Sequence, residues 1–218
     1  MKIYLNAFNR NKNNYFSGGD EKYYMNLIID EISNLLDSSG IEYSRNSTEN
    51  VKFENNKFIY ISLHSGDNLD NVKIFYKNEK RLAEVIKEKF VTFFSEKTQI
   101  NLSSRNFPDK IISKMPAISI NFGNHEKESI SKWIRENMEN ISKAIVISIA
   151  EYLSVPFLLP KKKKVLKIYK ETCILERPNI NSKILVKAKI SENIEIINQW
   201  ENWYLVKYKD IIGYMNII

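Results

Sequence analysis

The run Phe58-Ile59-Tyr60-Ile61-Ser62-Leu63 is β-branched and aromatic, and it stops abruptly at His64-Ser65-Gly66-Asp67. An apolar run of this length closed by turn residues reads as a central strand with both faces covered, which demands a sheet with further layers around it. In open α/β sheets, ligands gather beyond the carboxyl ends of such strands, and one of the chain's two histidines, His64, stands there. A histidine in that place is either a ligand or base, or a hydrogen-bonded structural residue. Its neighbours decide which.

The flanking sequence alternates strand and helix. Residues 2–5 read as a short strand, and a polar loop from residue 6 to 19 leads to a helix near Asp20. Ser17 or Asp20 caps that helix, Glu21 lies in its first turn, and Tyr24, Leu27, Ile28, Ile32, Leu35 and Leu36 form its apolar stripe before Ser38-Ser39-Gly40 stops it. Strands are expected at 41–45 and 72–76, a helix at 79–94, a strand at 117–122, and two helices at about 126–136 and 138–152. The polar piece 46–57 is too short for a full helical crossover. Such alternation predicts an α/β unit with a mostly parallel sheet covered by helices on both faces.

The period changes after Pro156 and Pro160. Beyond Lys161-Lys162-Lys163-Lys164, short strand-like pieces follow at 165–169, 173–175, 184–187, 194–198, 204–208 and 211–215, with no room for a helix between them. That pattern predicts a small all-β barrel. The expected organisation is an α/β domain over 1–158, a basic linker over 159–164, and the barrel over 165–218.

Charge follows the same division. From Lys161 on lie 12 of the 33 basic and 6 of the 26 acidic residues, so +6 of the net +7 belongs to the end of the chain. A solvated linker accounts for the lysine run, and no nucleic-acid motif stands beside it. The 43% hydrophobic content excludes a disordered chain, and the single cysteine, Cys173, excludes an internal disulfide and a cysteine-based metal cluster. The amino terminus turns polar too early for a signal peptide, and no run reaches the length of a membrane span. The expectation is synthesis in the cytoplasm.

Two resemblances add to this reading. Cys173-Ile174-Leu175-Glu176-Arg177-Pro178, Gln199-Trp200-Glu201-Asn202-Trp203-Tyr204 and Gly213-Tyr214-Met215 resemble a bacterial SH3-like domain, which implies cell-wall binding with Trp203, Tyr204 and Tyr214 as candidate contacts. The core role remains open for Trp203 or Tyr204. The first domain resembles the zinc-dependent N-acetylmuramoyl-L-alanine amidases over 1–157, through Ser17-Gly18-Gly19-Asp20-Glu21-Lys22-Tyr23-Tyr24, Ser62-Leu63-His64-Ser65, Pro116-Ala117-Ile118-Ser119-Ile120, His125 and Trp133-Ile134-Arg135-Glu136-Asn137.

That resemblance implies hydrolysis of the amide between N-acetylmuramic acid and L-alanine in bacterial peptidoglycan. It also implies a zinc held by His, Glu and His, with a separate glutamate as general base. Carried over, the second and third ligands fall on Glu21 and His64. The first falls at about Asn9, and the base falls on Asn121. An amide oxygen is a poor zinc ligand, and an asparagine takes no proton at neutral pH. His125 is a possible substitute ligand, although support of its loop by hydrogen bonding is the simpler role. Glu126, Asp20 and Asp67 read as caps or turn residues. Zinc is therefore expected to be weakly held or absent. The function the resemblance implies is that of an amidase with a degenerate site or, alternatively, of a catalytically inactive relative that binds peptidoglycan through both domains. A protein of either kind would reach the wall after lysis or by non-classical release.

Overall fold

The computed structural model describes residues 1–7, 15–16, 20–45, 58–66, 69, 71–94, 99–107, 115–160, 164–200 and 202–216. It divides into two units, Met1–Leu159 and Pro160–Ile218. The first holds strands β1 (Lys2–Ala7), β2 (Tyr43–Arg45), β3 (Phe58–His64), β4 (Val72–Lys77), β5 (Ile100–Ser104) and β6 (Ala117–Asn121), in the order β2-β1-β3-β6-β4-β5. Every neighbouring pair is parallel except β4 with β6. The connection from Ser65 to Asn71 is too short for a parallel crossover, which needs a dozen or more residues, so β4 runs back against β6.

The two faces of this sheet differ in chemistry because the side-chain period is two. In register, Ile3 and Leu5, Ile59, Ile61 and Leu63, Ile118 and Ile120, and Ile74 share one face, and all are buried. Against that apolar face pack α1 (Glu21–Ser38), α2 (Lys80–Phe94) and α3 (Glu128–Leu153). The other face carries Tyr4, Tyr60 and Ala117, which cluster with Met115, Phe58 and Phe107. Toward the carboxyl ends of β3 and β6 it carries Ser62, His64, Ser119 and Asn121. The apolar run of β3 is thus an aliphatic stripe interleaved with a mixed one.

Local chemistry fixes the helix ends. Asp20 Oδ1 accepts the Tyr23 N–H at 2.8 Å as the N-cap of α1. At the other end Gly40 adopts φ +67°, and the Ile41 N–H reaches the Leu36 carbonyl at 3.0 Å, a Schellman closure.

The structure departs from the sequence expectation in three places. The two helices expected after residue 126 are one, α3: the stripe Ile134, Met138, Ile141, Ile145 and Ile149 is continuous, and Asn137 spends its amide on the Trp133 carbonyl four residues back. Strand β5 was not expected, since Ile100 and Leu102 alternate with polar Asn101 and Ser103 over too short a span to stand out. The expected helices on both faces are, among the described residues, a single layer, because α3 packs between α1 and α2. Residues 46–57, expected to lack a helix, lie outside the described residues.

The second unit is all antiparallel. Strands β7 (Lys164–Lys167), β8 (Thr172–Leu175), β9 (Ile184–Ala188), β10 (Asn193–Trp200), β11 (Trp203–Tyr208) and β12 (Ile211–Asn216) stand in the order β7-β10-β11-β12-β8-β9. Ile168, Ile174, Ala188, Ile194, Val206, Tyr208 and Met215 form its core. Gly213 lets β12 approach β8, for a Cβ there would lie 2.6 Å from Ile174 Cγ2 and 2.7 Å from the Leu175 carbonyl oxygen.

Gly213→Ala should therefore force backbone and core side chains apart and destabilise this unit by about 1–3 kcal/mol, as overpacking does. Urea unfolding followed by tryptophan fluorescence should show a lower midpoint with an unchanged slope.

Candidate functional site

The carboxyl ends of β3 and β6 are tied together beyond the strands themselves. His64 and Asn121 are register partners, the Phe122 N–H bonds the His64 carbonyl at 2.9 Å, and the Gly66 N–H bonds the Gly123 carbonyl at 2.7 Å. Gly66 and Gly123 have φ of +116° and +91°, a region where glycine is needed to turn both chains away from the ladder. At Gly123 a Cβ would also lie 3.1 Å from the Leu69 carbonyl oxygen.

On this rim sits a buried polar node centred on Ser65. Its backbone N–H donates to Glu21 Oε1 at 2.7 Å, which anchors the first turn of α1 to the end of β3. Its hydroxyl lies 2.6 Å from the Tyr15 hydroxyl and 2.9 Å from His125 Nδ1. The Tyr15 ring is stacked between His125, at 4.5 Å and 4° between planes, and Tyr24, at 4.3 Å and 28°. The Phe16 N–H closes the arrangement on the His125 carbonyl at 3.2 Å. Glu21, Ser65, His125 and Asn121 are all at most 2% exposed.

Electrostatics follow burial. Desolvation pushes the His125 pKa below its ordinary value against the opposing pull of Glu126, so the ring is neutral at pH 7. Its Nε2 has no hydrogen-bond partner among the described residues. The Tyr15 phenol is raised by burial, with the Ser65 hydrogen bond opposing, and remains protonated.

The structure therefore brings Glu21, His64, Asn121 and His125 to one rim. Asn121 Oδ1 accepts the Gly123 N–H at 2.8 Å, so this side chain serves a local turn. Asp20 is the cap of α1, and Glu126 is exposed with its N–H on Asn124 Oδ1. Asn9 and Asp67 lie outside the described residues. In the second unit, Tyr204 packs against the core cluster, while Trp203 and Tyr214 project from the opposite side of the sheet, where Tyr214 is 7% exposed. The three aromatics thus form no common surface. Sequence reasoning missed Tyr15 and the role of Ser65. The only signal for either was a tyrosine isolated in a polar loop and a serine directly after His64.

Among the described residues this donor set falls short of the three ligands of a catalytic zinc. Among the described residues, no group of three or more His, Cys, Asp or Glu side chains is placed to hold a metal. Glu21 has one carboxylate oxygen engaged by a buried N–H, and Asn121 offers only an amide.

No protein-family model and no curated protein matches this sequence. Solved structures do match. N-acetylmuramoyl-L-alanine amidase AmiC2 of Nostoc punctiforme is 18% identical with a TM-score of 0.58, over 71% of this chain and 97% of that one. The CwlD amidase from Clostridioides difficile, solved in complex with the GerS lipoprotein, is 20% identical with a TM-score of 0.55, over 70% and 98%. The amidase Ami1 from Mycobacterium smegmatis is 13% identical with a TM-score of 0.52, over 71% and 97%. At these identities the likeness is one of fold, and the fold is that of the cell-wall amidases.

The buried neutral His125 makes stability pH-dependent. Its folded pKa lies below the unfolded value of about 6.5, so the unfolded chain binds the proton first as pH falls. The contribution is complete above about pH 6.5 and is lost below it. His125→Gln should flatten the fall in urea midpoint between pH 7 and pH 5, with His64 still present as the internal control. Ser65→Ala should cost about 1–3 kcal/mol for each buried partner it strands, read from the same melts at pH 7.5.

Proposed function

We propose that the chain is a cell-wall-directed protein of amidase fold that binds peptidoglycan without hydrolysing it. The observation that carries this reading is Asn121, fully buried at the position that the amidase resemblance gives to the general base, with its amide oxygen engaged by the Gly123 N–H.

Hydrolysis of an amide requires an attacking water to lose a proton as its oxygen bonds the carbonyl carbon. An asparagine cannot accept that proton, and removing a positioned base costs roughly 10²- to 10⁴-fold in rate. The rim offers no obvious replacement. The Glu21 carboxylate is nearly inaccessible and holds α1 to β3, and His125 is stacked against Tyr15 with Nδ1 on Ser65. A zinc bound when present would polarise a carbonyl oxygen and acidify a water, and among the described residues Glu21 and His64, with His125 Nε2 as the substitute, are the donors this rim offers it. What the chain's own residues provide at this rim is a buried, hydrogen-bonded node without a proton acceptor at position 121.

The second unit fits the same purpose as an SH3-like wall-binding module. Its six short antiparallel strands, its Trp203-Tyr204 and Gly213-Tyr214 pairs and its basic charge support that assignment. Of the three candidate aromatics, Trp203 is the better contact, since Tyr204 packs on the core and Tyr214 is buried.

The full chain should sediment with purified sacculi and stay bound when salt is raised by a few tenths molar, which screens exposed charges but not a shaped pocket. It should release no new L-alanine amino termini and should carry well under one zinc per chain. Brisk amine release that depends on zinc and is lost in His64→Ala would restore the amidase reading, and a chain left in the supernatant at low salt would remove the wall as its target.

A further inference from the structure

The sheet face opposite the helix layer carries a feature unrelated to Glu21 or to the node at Ser65. In β4, Lys73 is the register partner of Asn121, which is itself the partner of His64, so His64, Asn121 and Lys73 form one row across β3, β6 and β4. The next row on this face is Ser62, Ser119 and Phe75, and β5 extends the two rows with Asn101 and Ser103. No position in these rows is acidic.

Phe75 is flanked by two cations. Lys73 Nζ lies 5.1 Å and Arg105 Cζ 4.9 Å from its ring centroid, both within cation–π range. Lys73 and Phe75 are half-buried and Arg105 is exposed. Among the described residues neither cation meets a carboxylate. Other cations of this unit do meet a carboxylate, as Arg45 meets Asp30 and Lys89 meets Glu151. Two like charges gathered on one ring, with no carboxylate on either among the described residues, make a local positive field, while the ring keeps an apolar shelf between them.

We propose that Lys73, Phe75 and Arg105 form a binding site for a carboxylate-bearing peptide at the β4 and β5 end of this face, where Lys73 and Phe75 are half-buried and Arg105 is exposed, beyond the buried row of His64 and Asn121. The planar guanidinium takes a carboxylate through two parallel hydrogen bonds, the ammonium adds a second charge-assisted bond, and the ring receives the apolar carbons next to the acid. A peptide offers both parts, whereas a bare phosphate offers nothing to the ring. With the wall reading above, on which this source rests, the ligand is an acidic stem peptide. The site itself stands on the geometry of β4 and β5.

The test is titration calorimetry on the full chain with the tripeptide L-alanyl-γ-D-glutamyl-L-lysine and with its fully amidated form. The free acid should bind, and the amidated form should be weaker by at least about tenfold. Lys73→Gln and Arg105→Gln should each weaken binding of the acid by about tenfold, and the double variant should abolish it with the melting temperature unchanged. Lys73→Arg should retain it. Equal affinity for the two peptides, undiminished binding by the double variant, or displacement of the tripeptide by an equal concentration of inorganic phosphate would each overturn the proposal. The same variants in the sacculus assay separate the two ideas. Tripeptide binding lost with sedimentation intact supports the site and leaves wall binding to other contacts. Tripeptide binding present without sedimentation supports the site and removes the wall as its source.

Discussion

The bond from the Ser65 N–H to Glu21 Oε1 is the constraint on which the rim depends. It joins the first turn of a helix to the residue just past the central strand and so fixes their ends against each other. A carboxylate in a first turn is already favoured by the helix dipole, and here it also satisfies a buried N–H that would otherwise be stranded. Once that joint is fixed, the Ser65 hydroxyl faces Tyr15 and His125, and the segment at Tyr15 and Phe16 is held against the loop after β6. A hydrogen bond and a stacked triplet of rings supply this joint.

The second organising fact is the unlike character of the two sheet faces. The aliphatic face pairs Ile with Ile and Leu across four strands, and α1, α2 and α3 cover it. Burial of that kind contributes roughly 25 cal/mol per Å² and needs no directional chemistry, so the helix layer can carry the stability of the unit. The other face is released from that duty. It carries serine, asparagine, histidine and lysine, with Ser62, His64, Ser119 and Asn121 buried and Lys73 half-buried.

Legibility in the sequence followed physical cause. Elements with strong period came through: β3, β6, α1 and α2 each have an apolar pattern and a stop signal, and all six strands of the second unit lie within a few residues of expectation. Strand β5 did not come through, because an edge strand with two apolar residues has almost no pattern to read. The break placed inside α3 arose from Asn137, whose side-chain bond to Trp133 is invisible to propensity. For the rim, Glu21, His64, Asn121 and His125 were named from the sequence because a resemblance and strand ends point at them. Tyr15 and Ser65 were not. Their roles depend on a hydrogen bond spanning 50 residues and on ring stacking, which no local rule predicts. Phe75 and its two cations were missed for the same reason, since Lys73 and Arg105 meet only when β4 and β5 pair.

Asn121 connects these observations. It stands in register between His64 and Lys73, so its charge state sets the field along the whole row. An ionised carboxylate at this position would lie within a strand spacing of the Lys73 backbone, close enough to draw the ammonium away from the Phe75 ring and into an ion pair. An amide draws nothing. It instead closes a turn on Gly123, lowers the negative charge of the rim by one, and leaves Lys73 available beside Arg105. On the reading proposed above, the same side chain that would leave hydrolysis without a proton acceptor at position 121 would also leave this face without a negative charge beside Lys73.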